Sequence, residues 1–371
     1  MVQAIGLRSI SVPLILEIGS GLLARVAEIV CRANVQLDNP VVVTGVLSSR
    51  RYAEIVTAQL RRRGCNVGMV VAVRGTVREA ERLATTVLAG EVILAVGGGK
   101  VVDVAKLAAK RAGATLIVIP TAVAHDGISS PIASLQDDSG NKQSVGAVMP
   151  AGILVDSDIV GAAPTDTLRA GIGDLVSNLT AVLDWRLASE RRKEDFDEFA
   201  ASLAKCAALP VLRMASLPSG RDVAELARGL VLSGLAMAVA GTSRPCSGAE
   251  HLVSHSLDGR LGSLARMHGL QVAVSTLVMA AAHGRHLSEL RQAYRRLGLP
   301  IHPCEIGLSV DDLADAVLAA PSIRPERYTV LNELDLSRSS VHELIRHAVD
   351  DVEGPTVGLI PRQDARLLGA R

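Results

Sequence analysis

The chain has 371 residues, a formal net charge of +1, 49% hydrophobic residues, 21% charged residues and 2% aromatics. That balance excludes a disordered or strongly polyelectrolyte chain, and the shortage of rings excludes a base-stacking surface for single-stranded nucleic acid. A chain of this length suits two domains, with cores built from Ala, Val, Leu and Ile.

The opening segment MVQAIGLRSISVPLILEIG lacks a basic start followed by a clean apolar run, so it does not read as a signal peptide. Cys31, Cys65, Cys206, Cys246 and Cys304 are widely and irregularly spaced, with no CxxC pair. Reduced thiols and a cytoplasmic setting are expected. The basic runs Arg61-Arg62-Arg63 and Arg191-Arg192-Lys193 read as solvated helix faces rather than nucleic-acid patches. The longest apolar stretches, Leu230–Ala240 and Val272–Ala282, are too short to span a bilayer and read as buried helices, so no membrane insertion is expected.

In chain order, residues 41–45 (VVVTG) predict a strand and 51–64 a helix with a glycine stop. Val67–Val73 predicts a strand, Val77–Leu88 a helix, Val92–Val96 a strand, Lys100–Ala112 a helix and Thr115–Pro120 a strand. Val- and Ile-rich strands without alternation are buried on both faces, as parallel strands are. After Pro164 strand signals largely stop, and Ala, Leu, Glu and Arg fill stretches punctuated by Gly or Pro. The expected organisation is an α/β parallel-sheet domain over 1–163 and an all-α domain over 164–371.

Three glycines, Gly97, Gly98 and Gly99, follow the strand Val92–Val96 directly, and a helix opens near Lys100. Glycines let backbone approach a dinucleotide pyrophosphate closely, and a helix N-terminus offers unpaired N–H groups. The turn is neither GxGxxG nor a P-loop, because Val101 follows the lysine. A plain tight turn is the competing reading, but it needs one glycine rather than three. The loop IPTAVAHDGISSP (119–131) lies at the carboxyl end of the next strand, where ligands bind in open α/β sheets. Thr121 and Ser130 are candidate cofactor contacts and Asp126 a candidate substrate contact, although each is also an ordinary loop residue.

The segment SGAEHLVSHSLDGRLGSLARMHG (247–269) holds three of the nine histidines. His251 and His255 share a helix face, and His268 opens the next apolar helix. Two imidazoles and a carboxylate suit Zn²⁺, Fe²⁺ or Ni²⁺ with an open coordination position. Asp174, in AGIGDLVSNLTAVLDW, is the best candidate for the carboxylate, since an acid so close to apolar packing needs a partner. A lone histidine is more often a satisfied core or surface residue, and Asp174 alone could be a helix N-terminal acid; the clustering is what shifts the weight.

GGGKVVDVAKLAA, PTAVAHDGISSPIAS, GIGDLVSNLTAVLDWRLA and SRPCSGAEHLVSHSLDG followed by HG resemble the signature segments of the sn-glycerol-1-phosphate dehydrogenase family. That family sits in the glycerol dehydrogenase, iron-containing alcohol dehydrogenase and dehydroquinate synthase superfamily. The resemblance covers about residues 10–300, in order. It implies a Rossmann-like N-terminal domain, a dehydroquinate synthase-like helical domain and a site between them. It places one divalent metal, zinc first with nickel or iron as alternatives, on Asp174, His251 and His268. It places substrate contacts on Asp126, Asp174 and His255, with Asp126 and His255 as the catalytic pair. NAD or NADP lies along Gly97, Gly98, Gly99, Lys100, Val101, Thr121, Ala122 and Ser130. The implied reaction interconverts dihydroxyacetone phosphate and sn-glycerol 1-phosphate, and the implied state is a homo-oligomer.

Two departures bear on the substrate. Gly146 stands where the family commonly carries a lysine, and Leu270 stands where it carries a glutamate. Another polyol, a phosphonate or a cyclitol precursor is therefore the alternative substrate class. A dehydroquinate synthase-type cyclase is disfavoured, because Leu175–Trp185 contains no basic residue to hold a phosphate. A non-catalytic binding protein is disfavoured by retention of all three candidate ligands.

Overall fold

A computed structural model describes residues 10 and 12–350 apart from 141, without the side chain of residue 221. The outer ends of both expected domains, 1–9 and 351–371, lie outside the described residues.

The described residues group into two compact units, one running to Gly171 and including Pro218–Ser243, the other comprising Ile172–Leu217 and the residues from Arg244 onward. The single break expected at 163/164 is thus replaced by a chain that leaves the first unit and returns to it. The returning helix, Arg221–Ala240, contains a span, Asp222–Ala240, long and apolar enough to cross a membrane by composition, but that span is 72% buried. Gly234 is why it fits: a Cβ there would stand 2.1 Å from Ser129 Oγ and 2.7 Å from Ser130 N, so only glycine lets this helix press onto the 129–130 loop. The boundary was hidden because the contact joins segments about a hundred residues apart.

The first unit holds a six-stranded parallel sheet in the order β1-β8-β5-β4-β2-β3. The strands are β1 (Ile15–Gly19), β2 (Val41–Thr44), β3 (Gly68–Val71), β4 (Val92–Gly97), β5 (Thr115–Pro120) and β8 (Gly152–Asp156). An antiparallel hairpin of β6 (Ile132–Gln136) and β7 (Lys142–Gly146) stands apart from it. Alternate residues of the central strands enter opposite cores. Val42, Leu94, Val96, Ile117 and Ile119 pack on one side; Val41, Val43, Ile93, Ala95, Leu116 and Val118 pack on the other. This two-sided burial is what unalternating strand sequence demands. Burying these side chains supplies most of the driving force, at roughly 25 cal/mol per Å² of apolar surface.

The second unit is helical. The helices Asn178–Arg192, Glu198–Leu212, Ala249–Leu261, His268–His283, Leu287–Leu297, Val310–Ile323 and Arg338–Val349 lie wholly within it. Helix Thr165–Val176 leads into it, and Ala249–Leu261 packs most extensively against Val310–Ile323. Both basic runs stand exposed at helix C-terminal ends, where the helix dipole favours positive charge.

Candidate functional site

In the first unit, β4 ends at Gly97 and the helix Gly99–Ala112 begins after the single residue Gly98, which provides no side-chain cap. What a Cβ would meet separates the three glycines. At Gly97 it would lie 2.6 Å from Val101 Cγ2, and at Gly99 it would lie 2.4 Å from His125 Nε2. At Gly98 it would meet nothing within 4 Å. Packing against Val101 requires Gly97 and the His125 ring crowds Gly99, whereas Gly98 leaves open room beside uncapped N–H groups. That is a cradle suited to a pyrophosphate.

The Thr121 N–H donates to Gly97 O at 3.0 Å, so the expected 121–130 loop does adjoin the turn. Asp126 Oδ2 accepts from Ser233 Oγ at 2.9 Å, and Ser129 Oγ donates to Leu230 O at 3.0 Å. Ser130 is buried, and its hydroxyl donates to Ile132 O at 3.3 Å. Sequence reading missed Lys106. Its buried ammonium donates to Gly127 O at 2.7 Å and to Ile132 O, and it pairs with Asp103 at 2.9 Å. It ties the glycine-turn helix to the loop that carries Asp126. The available signal was an Asp and a Lys three apart within the otherwise apolar stretch Val101–Ala109.

In the second unit, Asp174, His251 and His268 converge, with one ligand atom from each lying within 4.8 Å of the others. Asp174 Oδ1 stands 3.6 Å from His251 Nε2 and 3.8 Å from His268 Nε2. Neighbouring ligands on a tetrahedral ion with bonds of about 2.1 Å stand about 3.4 Å apart, so these three side chains suit a single first-row transition ion. Two imidazoles and one carboxylate favour zinc, nickel or iron over calcium or magnesium. Gly173 makes the convergence possible. A Cβ there would lie 2.2 Å from Gly269 O, so the glycine lets the helix carrying Asp174 touch the helix opened by His268.

Each imidazole is held from behind. His251 Nδ1 bonds Glu250 Oε1 at 2.9 Å, and the fully buried Glu250 also accepts from Gly248 N at 2.6 Å and Thr180 Oγ1 at 2.9 Å. A carboxylate that only accepts keeps a proton on Nδ1 and leaves Nε2, which faces Asp174, as the nitrogen an ion would take once its proton is displaced. Burial alone would lower the His251 pKa, but hydrogen bonds with Asp174 and Glu250 outweigh it and raise it to about 9. His268 Nδ1 bonds Ser254 Oγ at 2.9 Å, and Gln271 Nε2 donates to the same hydroxyl at 3.0 Å. The His255 ring stacks on His268 with centroids 5.6 Å apart, outside the three-ligand set.

The start of the helix carrying His251 is anchored by Asp184, which is fully buried and accepts from Ala249 N at 2.6 Å, Val330 N at 2.7 Å and His283 Nε2 at 3.0 Å. Arg327 donates to Ser247 O, and Arg244 donates to Tyr328 O at 2.8 Å. These bonds give the residues after 300 a role that sequence reading had not assigned. Gly146 ends β7, and the Lys110 ammonium donates to its carbonyl at 2.9 Å. Leu270 is half-buried in the first turn of the helix that His268 opens.

The sequence profile described as iron-containing alcohol dehydrogenase matches residues 17–164. A protein of Methanosarcina barkeri named glycerol-1-phosphate dehydrogenase, with NAD(P)+ in its name, is 38% identical over 334 residues, covering 89% of this chain and 93% of that one. A protein of the same name from Aeropyrum pernix is 38% identical over 345 residues, covering 91% and 97%. Among solved structures, glycerol dehydrogenase from Schizosaccharomyces pombe superposes with a TM-score of 0.72 at 20% identity, covering 92% of this chain and 90% of that one. A probable glycerol dehydrogenase from Sinorhizobium meliloti gives 0.71 at 22%, covering 92% and 98%, and these two likenesses speak to the fold alone.

Proposed function

The chain belongs to the glycerol-1-phosphate dehydrogenase family, and on that footing we propose that it interconverts dihydroxyacetone phosphate and sn-glycerol 1-phosphate with NAD or NADP and one divalent metal. The observation that carries the reading is the convergence of Asp174, His251 and His268 from three separate segments, with Glu250 fixing one imidazole. When bound, the ion supplies Lewis acidity toward a carbonyl oxygen and the dinucleotide supplies or accepts hydride. Zinc is the leading ion; nickel and ferrous iron share its donor preference.

The chain's own groups provide the rest. Asp174, His251 and His268 hold the ion, with Glu250 and Ser254 setting the orientation of the two rings. Asp126, kept in place by Ser233, takes a substrate hydroxyl. His255 binds a second hydroxyl and holds or passes the proton that follows the hydride. The glycine turn and Thr121 receive the dinucleotide, and Lys106 keeps the neighbouring loop in register with that turn.

The test is oxidation of reduced dinucleotide by metal-supplemented protein, run with dihydroxyacetone phosphate and a panel of free and phosphorylated polyol precursors, with chiral analysis of the product. Turnover selective for dihydroxyacetone phosphate, giving the sn-1 product, is expected. In His251→Ala, bound metal should be lost and turnover should fall by about 10³-fold or more. A variant that loses the metal and keeps full turnover defeats the reading.

A further inference from the structure

β2 lies between β4 and β3, and all three strands run parallel, so their carboxyl ends share one edge of the sheet. The register sets Thr44 beside both Val96 and Val71. Gly45, the next residue, therefore adjoins Gly97, where the glycine turn begins. In open α/β sheets the strand next to the pyrophosphate turn carries the group that reads the adenosine ribose. A carboxylate there takes a free 2′-hydroxyl, and a cation accommodates a 2′-phosphate.

Among the described residues, the carboxylates near this edge are engaged: Asp138, in the turn after the strand that bonds Gly75, pairs with Arg78 at 3.0 Å, and Asp137 accepts from Ser139 N at 2.8 Å. From Val41 to Tyr52 there is no acid. Glu54 pairs with Arg50 at 3.2 Å. Glu79 is turned onto backbone, accepting from Val73 N and Arg74 N at 3.0 Å and from Gly75 N at 2.7 Å.

Two cations stand there instead. The stem of Lys100 lies on Gly75, with its Cγ 3.3 Å from where a Gly75 Cβ would be. A side chain that starts on the helix after β4 thus reaches the loop after β3, so the two loops meet beyond the end of β2. Arg74 adjoins that meeting point. Both side chains are exposed, and among the described residues neither charged group has a hydrogen bond or ion pair.

We propose that this edge reads a 2′-phosphate through Lys100 and Arg74, so that the chain binds the 2′-phosphorylated nicotinamide dinucleotide in preference to the unphosphorylated one. The proposal rests on the dehydrogenase reading and adds cofactor choice to it. A phosphate dianion gains two charge-assisted contacts at this edge, with the guanidinium able to engage two oxygens at once. A bare 2′-hydroxyl finds no acid between Val41 and Tyr52 to take its proton.

The test is equilibrium titration of the full chain with NADPH and, separately, NADH at fixed ionic strength, followed by fluorescence of the bound dinucleotide. The wild-type protein should bind NADPH more tightly. Arg74→Ala should weaken NADPH by about tenfold and leave NADH within about twofold, and Lys100→Met should weaken NADPH at least about tenfold more than it weakens NADH. Gly45→Asp supplies the missing carboxylate and should reverse the preference. Its Cβ would stand 3.0 Å from Ser49 Oγ, which accepts from Gly45 N and Thr44 Oγ1 and would have to give by a few tenths of an ångström. Equal losses for the two dinucleotides, no loss for either, or a wild-type preference for NADH would overturn the proposal. A wild-type protein that bound neither would overturn the dehydrogenase reading and this proposal together.

Discussion

The glycine turn of the first unit and the three-residue cluster of the second create binding capacity by opposite means. At Gly98 the useful feature is a missing side chain, because a Cβ there meets no protein atom and the space is left for a ligand. At Asp174, His251 and His268 the useful feature is side-chain convergence, and every ring is held by a further residue behind it. Glycine also serves the second site, but differently: Gly173 makes room for Gly269 O rather than for a ligand. At these two positions the Cβ test separates a glycine that packing requires, Gly173, from one that packing does not, Gly98.

Identical substitutions at these two positions should therefore part company. Gly173→Ala sets a Cβ against backbone that cannot turn aside. It should destabilise the protein by about 2–3 kcal/mol and, by moving Asp174 off His268, weaken metal binding. Gly98 has φ −81° and ψ −173°, which alanine adopts freely. Gly98→Ala should leave stability within about 0.5 kcal/mol while weakening dinucleotide binding. Thermal melts read beside metal and dinucleotide titrations separate the two, and a Gly98→Ala protein that lost stability but kept dinucleotide affinity would dissolve the contrast.

A smaller contrast lies inside the cluster. Glu250 can only accept, so it commits the His251 tautomer, whereas the Ser254 hydroxyl can give or take and leaves His268 adjustable. Glu250→Gln should lower metal affinity about 10–100-fold, and Ser254→Ala should lower it less. Chelator competition measures both. Equal losses would mean that the two rings are fixed to the same degree.

How far the sequence foretold these regions follows from the range of the interactions. β2 through β5 and their helices were legible because buried parallel strands need unbroken Val and Ile, a local pattern. β1, ILEIG, sits at the sheet edge with a mixed surface, and β7, KQSVG, is mostly polar and exposed, so neither carries that pattern. The return of Arg221–Ala240 to the first unit depends on Gly234 meeting Ser129, which no window of sequence contains. In the cluster, residue type and family resemblance pointed to the three candidate ligands. The supports Glu250, Ser254, Gln271 and Asp184 were invisible as such, since their roles exist only once helices cross.

Glu79 inverts the arrangement at the glycine turn, because here a side chain serves the backbone. Thr76 caps the helix Val77–Ala84 by accepting from Glu79 N, while the Glu79 carboxylate gathers the N–H groups of Val73, Arg74, Gly75 and Thr76. Burial pushes its pKa up, but those four donors outweigh burial and bring it below the ordinary value of 4.5. A carboxyl that is easier to ionise in the folded protein than in the unfolded one contributes stability in full above the unfolded value. That contribution is lost as pH falls through the lowered folded value. Glu79→Gln keeps one acceptor oxygen but no charge, and should cost about 1 kcal/mol at pH 7, toward the low side because solvent reaches the group. Denaturant titrations of the two proteins should differ at pH 7 and converge as the pH drops below about 4. A gap that persisted unchanged in acid would show that the carboxylate charge does not hold the Val73–Thr76 backbone, and that shape alone does.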